Sequence, residues 1–261
     1  MATNLTPRLS PSACADLACS YRFWTLRVLK QYPPRDPVTF ATLGLAWHEI
    51  AAKVFNPRLG PPPNLTHLDA WSHQAFRGHP YTDEAAREKD RVRCMRMVEG
   101  YLSNEEPEDI AGTLSVEHWV EHPITRRGRP FFLLHGRLDR VLVRGHEPAV
   151  VIGRDYKLGR PKTDMEAAFV NLWLLRVAFP GYADYRHEID WIDEGGRVDR
   201  DTITVADVKG QHAILMEKMQ HVLLNDDHPQ EPGEGCQWCR LASICPSRAS
   251  AGSDFQSDIF A

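Results

Sequence analysis

The sequence predicts a mixed α/β fold in which helices come first, then a central mixed sheet, then helices again. Three observations predict it. Apolar residues recur at helical spacing from Asp16 to Ser103, residue-by-residue alternation takes over at Leu114, and an apolar segment of helical length follows from Thr163. At 261 residues and 43% hydrophobic the chain can bury a sizeable core, as one large domain or two small ones.

Each element has its own signal. Asp16 to Gln31 carries Leu17, Tyr21, Trp24 and Val28 at helical spacing, and Thr42 to Phe55 continues with Leu43, Trp47, Ile50 and Val54. The proline-rich stretch Asn56 to Asn64 breaks the pattern. Thr66 to Phe76 and Thr82 to Ser103 read as two more helices. The second has Asp83 and Glu84 in its first turn, where carboxylates meet the positive end of the helix dipole. Leu114, Val116, His118 and Val120 alternate with Ser115, Glu117 and Trp119 as a strand, and Pro130 to Val143 and Ala149 to Tyr156 read as a hairpin around Arg144-Gly145-His146-Glu147. Thr163 to Phe179 is an apolar helix that stops before Pro180-Gly181, Tyr185 to Asp193 returns as a strand, and Val205 to Leu224 is a last amphipathic helix. Ser247 to Ala261, rich in small residues, reads as a mobile tail, and no internal repeat is visible.

Composition narrows the function. No apolar run approaches the ~20 residues that span a bilayer, and the first residues lack a charged segment followed by an apolar one, so the expectation is a cytoplasmic protein with no membrane partner. A net charge of -4 argues against coating nucleic acid through overall charge, but leaves room for a local basic groove. Six cysteines in such a chain read as thiols or metal ligands in preference to disulfides.

Two segments carry the chemistry: Gly136-Arg137-Leu138-Asp139 and, after a turn, Asp155-Tyr156-Lys157. Side chains alternate across a strand, so Asp155 and Lys157 share a face and Tyr156 points away. With Asp139 on the neighbouring strand, two carboxylates can hold a hard divalent cation, and a lysine beside them can orient or help deprotonate a water for attack on a phosphodiester. Taken alone, Asp-x-Lys reads first as a solvated ion pair, and His48 first as a core histidine on an amphipathic helix. Glu49 and Glu117 read as solvated or hydrogen-bonded carboxylates. Cys236-x2-Cys239-x5-Cys245 with the distant Cys19 makes four thiolates, a set that suits zinc or an iron-sulfur cluster equally by count. Cys14 is the alternative to Cys19, and Cys94 reads as a small buried side chain. Arg22, Arg27 and Lys30, and Arg126, Arg127 and Arg129, are candidate phosphate contacts interleaved with Tyr21, Phe23 and Trp24. The alternative is a solvated charged face with ordinary core aromatics.

The order of the whole set, from Leu9-Ser10-Pro11-Ser12 and Cys19 through His48, Gly136 to Arg140 and Asp155-Tyr156-Lys157 to the terminal cysteines, resembles the RecB-like branch of the PD-(D/E)XK nuclease superfamily. It is similar to the nuclease domain of AddB and to the CRISPR-associated adaptation exonucleases. The resemblance implies a restriction-endonuclease-like mixed sheet flanked by helices over residues 1–246, with the N- and C-terminal segments joined by a four-cysteine cluster. It implies His48, Asp139, Asp155 and the backbone carbonyl of Tyr156 as ligands of Mg2+ or Mn2+, and Lys157 as the catalytic lysine. Cys19, Cys236, Cys239 and Cys245 would hold a [4Fe-4S] cluster, with structural zinc as the alternative. The family's Gln-x3-Tyr pair is missing, and Asn171 is its nearest counterpart; Arg22 and Asn171 are the expected DNA contacts. The implied activity is a metal-dependent DNA exonuclease or end-processing nuclease in recombination, repair or CRISPR and phage defence, acting on ends or single strands with a partner helicase or adaptation protein. The alternative is a non-catalytic DNA-end-binding subunit of a larger nuclease.

Overall fold

The computed structural model describes residues 6–32, 40–79, 81, 83–145, 149–158, 164–225, 227–233, 236 and 239–249. The chain divides into two compact units, one comprising Met1–Arg35, Pro123–Leu134 and Gly210–Ala261, the other Asp36–His122 and His135–Lys209.

In the first unit, strand β1 (Arg8–Leu9) pairs in parallel with the start of β3 (Arg129–Arg144), Arg8 opposite Leu133 and Leu9 opposite Leu134. The single helix expected over Asp16 to Gln31 is instead a 3-10 helix (Pro11–Ala18), a short α1 (Ser20–Phe23) and a π-helical turn (Trp24–Val28). Buried Asp16 interrupts the regular pattern, because its carboxylate takes Arg22 at 2.6 Å and Arg27 at 2.7 Å. Strand β2 (Thr113–Arg126) turns into β3 through Arg127 and Gly128, both at positive φ, as a two-residue hairpin loop requires. Helix α7 (Gln211–Leu224) starts after Gly210, later than expected. The two ends of the chain meet within this unit. The Tyr21 amide donates to the Pro229 carbonyl at 3.2 Å, the Ser20 amide to Glu231 Oε2 at 2.6 Å, and Trp24 stacks on His228 at 3.8 Å. Of the expected tail, Ser247 lies in a short α8 (Pro246–Ala249), and residues 250–261 lie outside the described residues.

The second unit carries the sheet. Strands β4 (Val150–Leu158), β5 (Asp184–Ile192) and β6 (Val198–Thr204) follow β3 in the order β3-β4-β5-β6, and β2 also pairs with β3. The β3–β4 and β5–β6 pairs are antiparallel and β4–β5 is parallel, so the sheet is mixed. Helices α2 (Phe40–Val54), α3 (Leu68–Arg77) and α4 (Glu84–Ser103) pack one core with Tyr156 and Ile192, through Trp47, Ile50, Val54, Phe76, Val98 and Tyr101. Asp83 caps α4 by accepting from the Ala86 amide at 2.7 Å. Asp164 does the same for α6 (Met165–Ala178), the crossover between the parallel strands. That helix covers the other face: a Cβ on Gly153 would stand 3.4 Å from Leu175, so glycine there admits the close approach of α6. Tyr156 and Gly153 are an odd number of residues apart, which puts the two helical layers on opposite faces.

Beneath α4 the unit buries a charged cluster in place of an apolar one. Arg140 and Arg154 are fully buried and face each other across the β3–β4 ladder. Glu105, Asp109 from α5 (Pro107–Ala111), Glu188 and Asp190 surround them, with Arg144 and Arg200 closing the set. Arg140 Nη1 lies 2.9 Å from Glu105, and Arg154 Nη1 lies 2.6 Å from the other Glu105 oxygen. Burial opposes the Arg154 charge, but the surrounding carboxylates overcome it and raise its pKa. Burial likewise opposes ionisation of Asp109, and the Arg144 and Arg154 guanidinium groups hold its pKa low. Four guanidinium groups thus balance four carboxylates, which is the condition for burying charge at all. Replacing Arg154 by Met leaves Glu105, Asp109 and Glu188 short of a partner. The expected outcome in a denaturant titration is a loss of about 3–5 kcal/mol of stability, and an unchanged midpoint would contradict a structural role for the cluster.

Candidate active site at a strand fork

The β3–β4 ladder runs from Arg144 opposite Val150 to Arg140 opposite Arg154 and goes no further, whereas β4 stays paired with β5 as far as Leu158. One residue beyond the last rung stand Asp139 and Asp155. Here Asp139 Oδ2 accepts the Tyr156 amide at 3.0 Å, in the place where a strand carbonyl would accept it. The two strands therefore fork at the acidic pair. Because Arg140 and Arg154 are buried on one face, alternation places Asp139 and Asp155 on the other.

Helix α2 brings His48 to the fork. Trp47 is anchored in the core against Tyr156, with ring centroids 5.0 Å apart, and the next residue along the helix, His48, sets Nδ1 3.3 Å from Asp139 Oδ2. Lys157 Nζ stands 2.7 Å from Asp155 Oδ2. All four residues expected from the sequence are thus in one place. A fifth joins them from β2: His48, Glu117 and Asp139 each offer a ligand atom, and these atoms lie within 4.8 Å of one another. Glu117 is held there by a backbone at φ 49°, rare for a residue with a side chain, and by Arg137 Nε at 2.8 Å. Glu117 is thus paired, as a hydrogen-bonded carboxylate is, and stands within reach of the other donors. Glu49, by contrast, pairs with Lys53 at 3.2 Å, as an ordinary surface carboxylate does.

The electrostatics express crowding. Burial, and then the charge of Asp139, push Asp155 up to about 7 despite Lys157. Burial also opposes ionisation of Asp139, but His48 and the Tyr156 amide hold its pKa below the usual carboxylate range. Burial and Asp139 raise Glu117. For His48, burial works against the charge, yet Asp139 raises it. Lys157 is raised by Asp155 against the effect of burial, so it stands as an ammonium. A group of carboxylates forced together with an imidazole fits a hard divalent cation, which would relieve the repulsion.

The remaining predicted residues are placed differently. Asn171 is buried on α6, its amide 3.3 Å from His187 Nε2, while His187 Nδ1 donates to the Gly153 carbonyl at 3.1 Å. Burial lowers His187 to about 4, so this pair is neutral and lies beneath β4. Arg22 is in the first unit, engaged with Asp16. Of the aromatics near it, Phe23 is fully buried and Trp24 stacks on His228, the ordinary packing alternative. Cys19, Cys236, Cys239 and Cys245 are free thiols, each partly exposed, and all four belong to the first unit. The Gly233 amide points at Cys236 Sγ at 3.3 Å. Cys14 is buried with its thiol on the Ser10 carbonyl at 3.6 Å, which favours Cys19 as the accessible donor. Thiolates suit a metal centre by donor chemistry, but among the described residues the donor atoms that converge within 4.8 Å are those of His48, Glu117 and Asp139, and no group of three thiols does so.

A cation entering the fork must displace the proton on Asp155 and any on His48. The folded chain retains the Asp155 proton between pH 3.8 and about 7, where the unfolded chain has lost it. This contribution to metal-free stability is therefore complete at low pH and disappears as pH rises through about 7, and cation affinity rises over the same window. Calorimetric titration with Mn2+ is expected to give about tenfold tighter binding at pH 8 than at pH 6, while equal affinities would contradict this electrostatic picture.

A family model of the PD-(D/E)XK nuclease superfamily matches residues 8–246. Among solved structures, a "Putative exonuclease" from Eubacterium rectale superposes with a TM-score of 0.55 at 9% identity, over 97% of this chain and 90% of its own, a likeness of fold. The structure of SSO0001, with a TM-score of 0.38 at 13% identity over 85% of this chain and 91% of its own, is too distant to bear on the fold. No curated protein matches the chain. The family match spans His48, both fork carboxylates and Lys157, and the chain belongs to the PD-(D/E)XK nuclease superfamily.

Proposed function

We propose that the chain is a divalent-metal-dependent deoxyribonuclease, an exonuclease or end-processing enzyme of the RecB-like branch. One observation carries the reading: where the β3–β4 ladder ends, Asp139 and Asp155 are forced together, with His48 at 3.3 Å from one and Lys157 at 2.7 Å from the other. Asp139, Asp155 and His48 would hold Mg2+ or Mn2+, with Glu117 as a further carboxylate. In a strand the amide and carbonyl of one residue face the same edge, so the Tyr156 carbonyl shares the edge on which its amide meets Asp139. The cation, when bound, lowers the pKa of water and offsets the charge developing on the scissile phosphate. Lys157, paired with Asp155 in the metal-free site, would orient or help deprotonate the attacking water and add positive charge near the phosphate.

The four thiols of the first unit would hold a [4Fe-4S] cluster, with zinc as the alternative, in a structural role that ties Cys19 to the C-terminal segment. A cytoplasmic setting and work beside a helicase or a CRISPR adaptation protein, in recombination, repair or phage defence, complete the reading. The second reading, a non-catalytic end-binding subunit, draws on Asn171, whose amide is engaged with His187 and so does not stand in for the family's glutamine.

Two tests separate these. On end-labelled DNA with Mn2+ against chelator, cleavage by the native chain should fall about 10²–10³-fold or more in Asp155→Asn and Lys157→Ala. Bound but intact DNA in the native sample would favour the second reading. Cys239→Ala should lower iron and sulfide content and soluble yield together after anaerobic purification. Zinc in place of iron in the native sample would select the alternative centre.

A further inference from the structure

Among the described residues with large exposed apolar side chains, Trp119 is the one tryptophan, at 54% exposure. Its indole stands 5.4 Å from the imidazole of His135, with the planes inclined by 44°. Two residues before it on β2, Glu117 meets Arg137, which lies two residues after His135 on β3. The two contacts step by two residues on each strand, the period of one face of an antiparallel pair. A continuous stripe therefore leads from Trp119 and His135 through Arg137 and Glu117 to Asp139. Along β2, Trp119 is one pleat, about 7 Å, from the Glu117 end of the acidic cluster. The Arg137 side chain is 61% exposed while still anchored to Glu117.

An acidic cluster in a chain of net charge -4 repels a phosphate backbone until a cation is present. Holding nucleic acid there calls for an attraction that does not depend on charge, and a base stacked on an indole supplies one. Bases inside an intact duplex present only their edges, so a base that stacks anywhere but at a blunt terminus must be unpaired. We propose that Trp119, backed by His135, is a platform on which an unpaired base of a single-stranded nucleic acid stacks, setting the adjoining phosphate beside the fork. This rests on the nuclease reading and adds to it the residue that would hold the single strand. Every base has a π face, so the platform discriminates strand state and not sequence.

The test is anisotropy of labelled oligodeoxythymidine and of a blunt duplex with the full chain in chelator, where no cleavage intervenes. Trp119→Ala should weaken single-strand binding about 5- to 150-fold, Trp119→Phe should restore most of it, and neither should alter duplex binding. An oligonucleotide with one abasic position in the stacked register should cost the native chain affinity and cost Trp119→Ala nothing further. Single-strand binding by Trp119→Ala equal to that of the native chain, or equal losses on the duplex, would overturn the platform. Mn2+-dependent cleavage that survives such a result leaves the nuclease reading standing. Trp119-dependent binding without cleavage would sink that reading and leave the platform.

Discussion

The register of β3 against β4 is the constraint on which the rest of the second unit depends, and buried charge sets it. Arg140 and Arg154 face each other across the ladder and share Glu105, one oxygen each. A slip of one residue in either strand would turn that strand's guanidinium group to the opposite face and carry its neighbouring carboxylate, Asp139 or Asp155, into the place it leaves. Apolar residues of similar size would pack there with less desolvation cost, but would tolerate the slip more readily. The ionic cluster also recruits the short α5 through Asp109, and Gly112 completes that docking: a Cβ on it would meet the Val143 carbonyl at 2.2 Å.

Fixing one face at Arg140 and Arg154 decides what happens one residue further along. There the strands part, the Tyr156 amide turns to a carboxylate, and two acidic groups occupy the gap between diverging backbones. The strain is visible in the raised pKa of Asp155 and in the positive φ of Glu117, which the cross-strand Arg137 holds in place. Core packing sets the third side: Trp47, wedged against Tyr101 and Tyr156, determines where the next residue of α2, His48, must stand. Stability and chemistry are thus adjacent along the same strands, with alternate residues serving each.

Much of this was legible in the sequence, where a strong local signal existed. The apolar spacing of α2, the Asp83 and Glu84 start of α4 and the hairpin of β3 with β4 all have local causes, and the structure places them close to the expected residues. His48, Asp139, Asp155 and Lys157 are singled out by the family resemblance that the order of the motifs carries, and they stand together at the fork. What escaped notice has non-local causes. Strand β6 reads as polar because it is the last strand in the order and its Arg200 serves the ionic cluster. Helix α5 spans only Pro107–Ala111, too short to show a period. Glu117 looks like any alternating strand carboxylate, since its place depends on one backbone angle and on a residue twenty positions away. The first helix breaks because Asp16 is buried under two arginines, a demand of packing that helical spacing does not reveal.

The most direct measurement of the central claim, that the fork is built to hold a catalytic cation, is a crystal structure of the chain grown with Mn2+ and phased for its anomalous signal. A peak is expected in the fork with carboxylate oxygens of Asp139 and Asp155 and a ring nitrogen of His48 at about 2.0–2.3 Å. A fork without a peak, its carboxylates still paired to each other and to Lys157 while Mn2+ binds elsewhere, would contradict it.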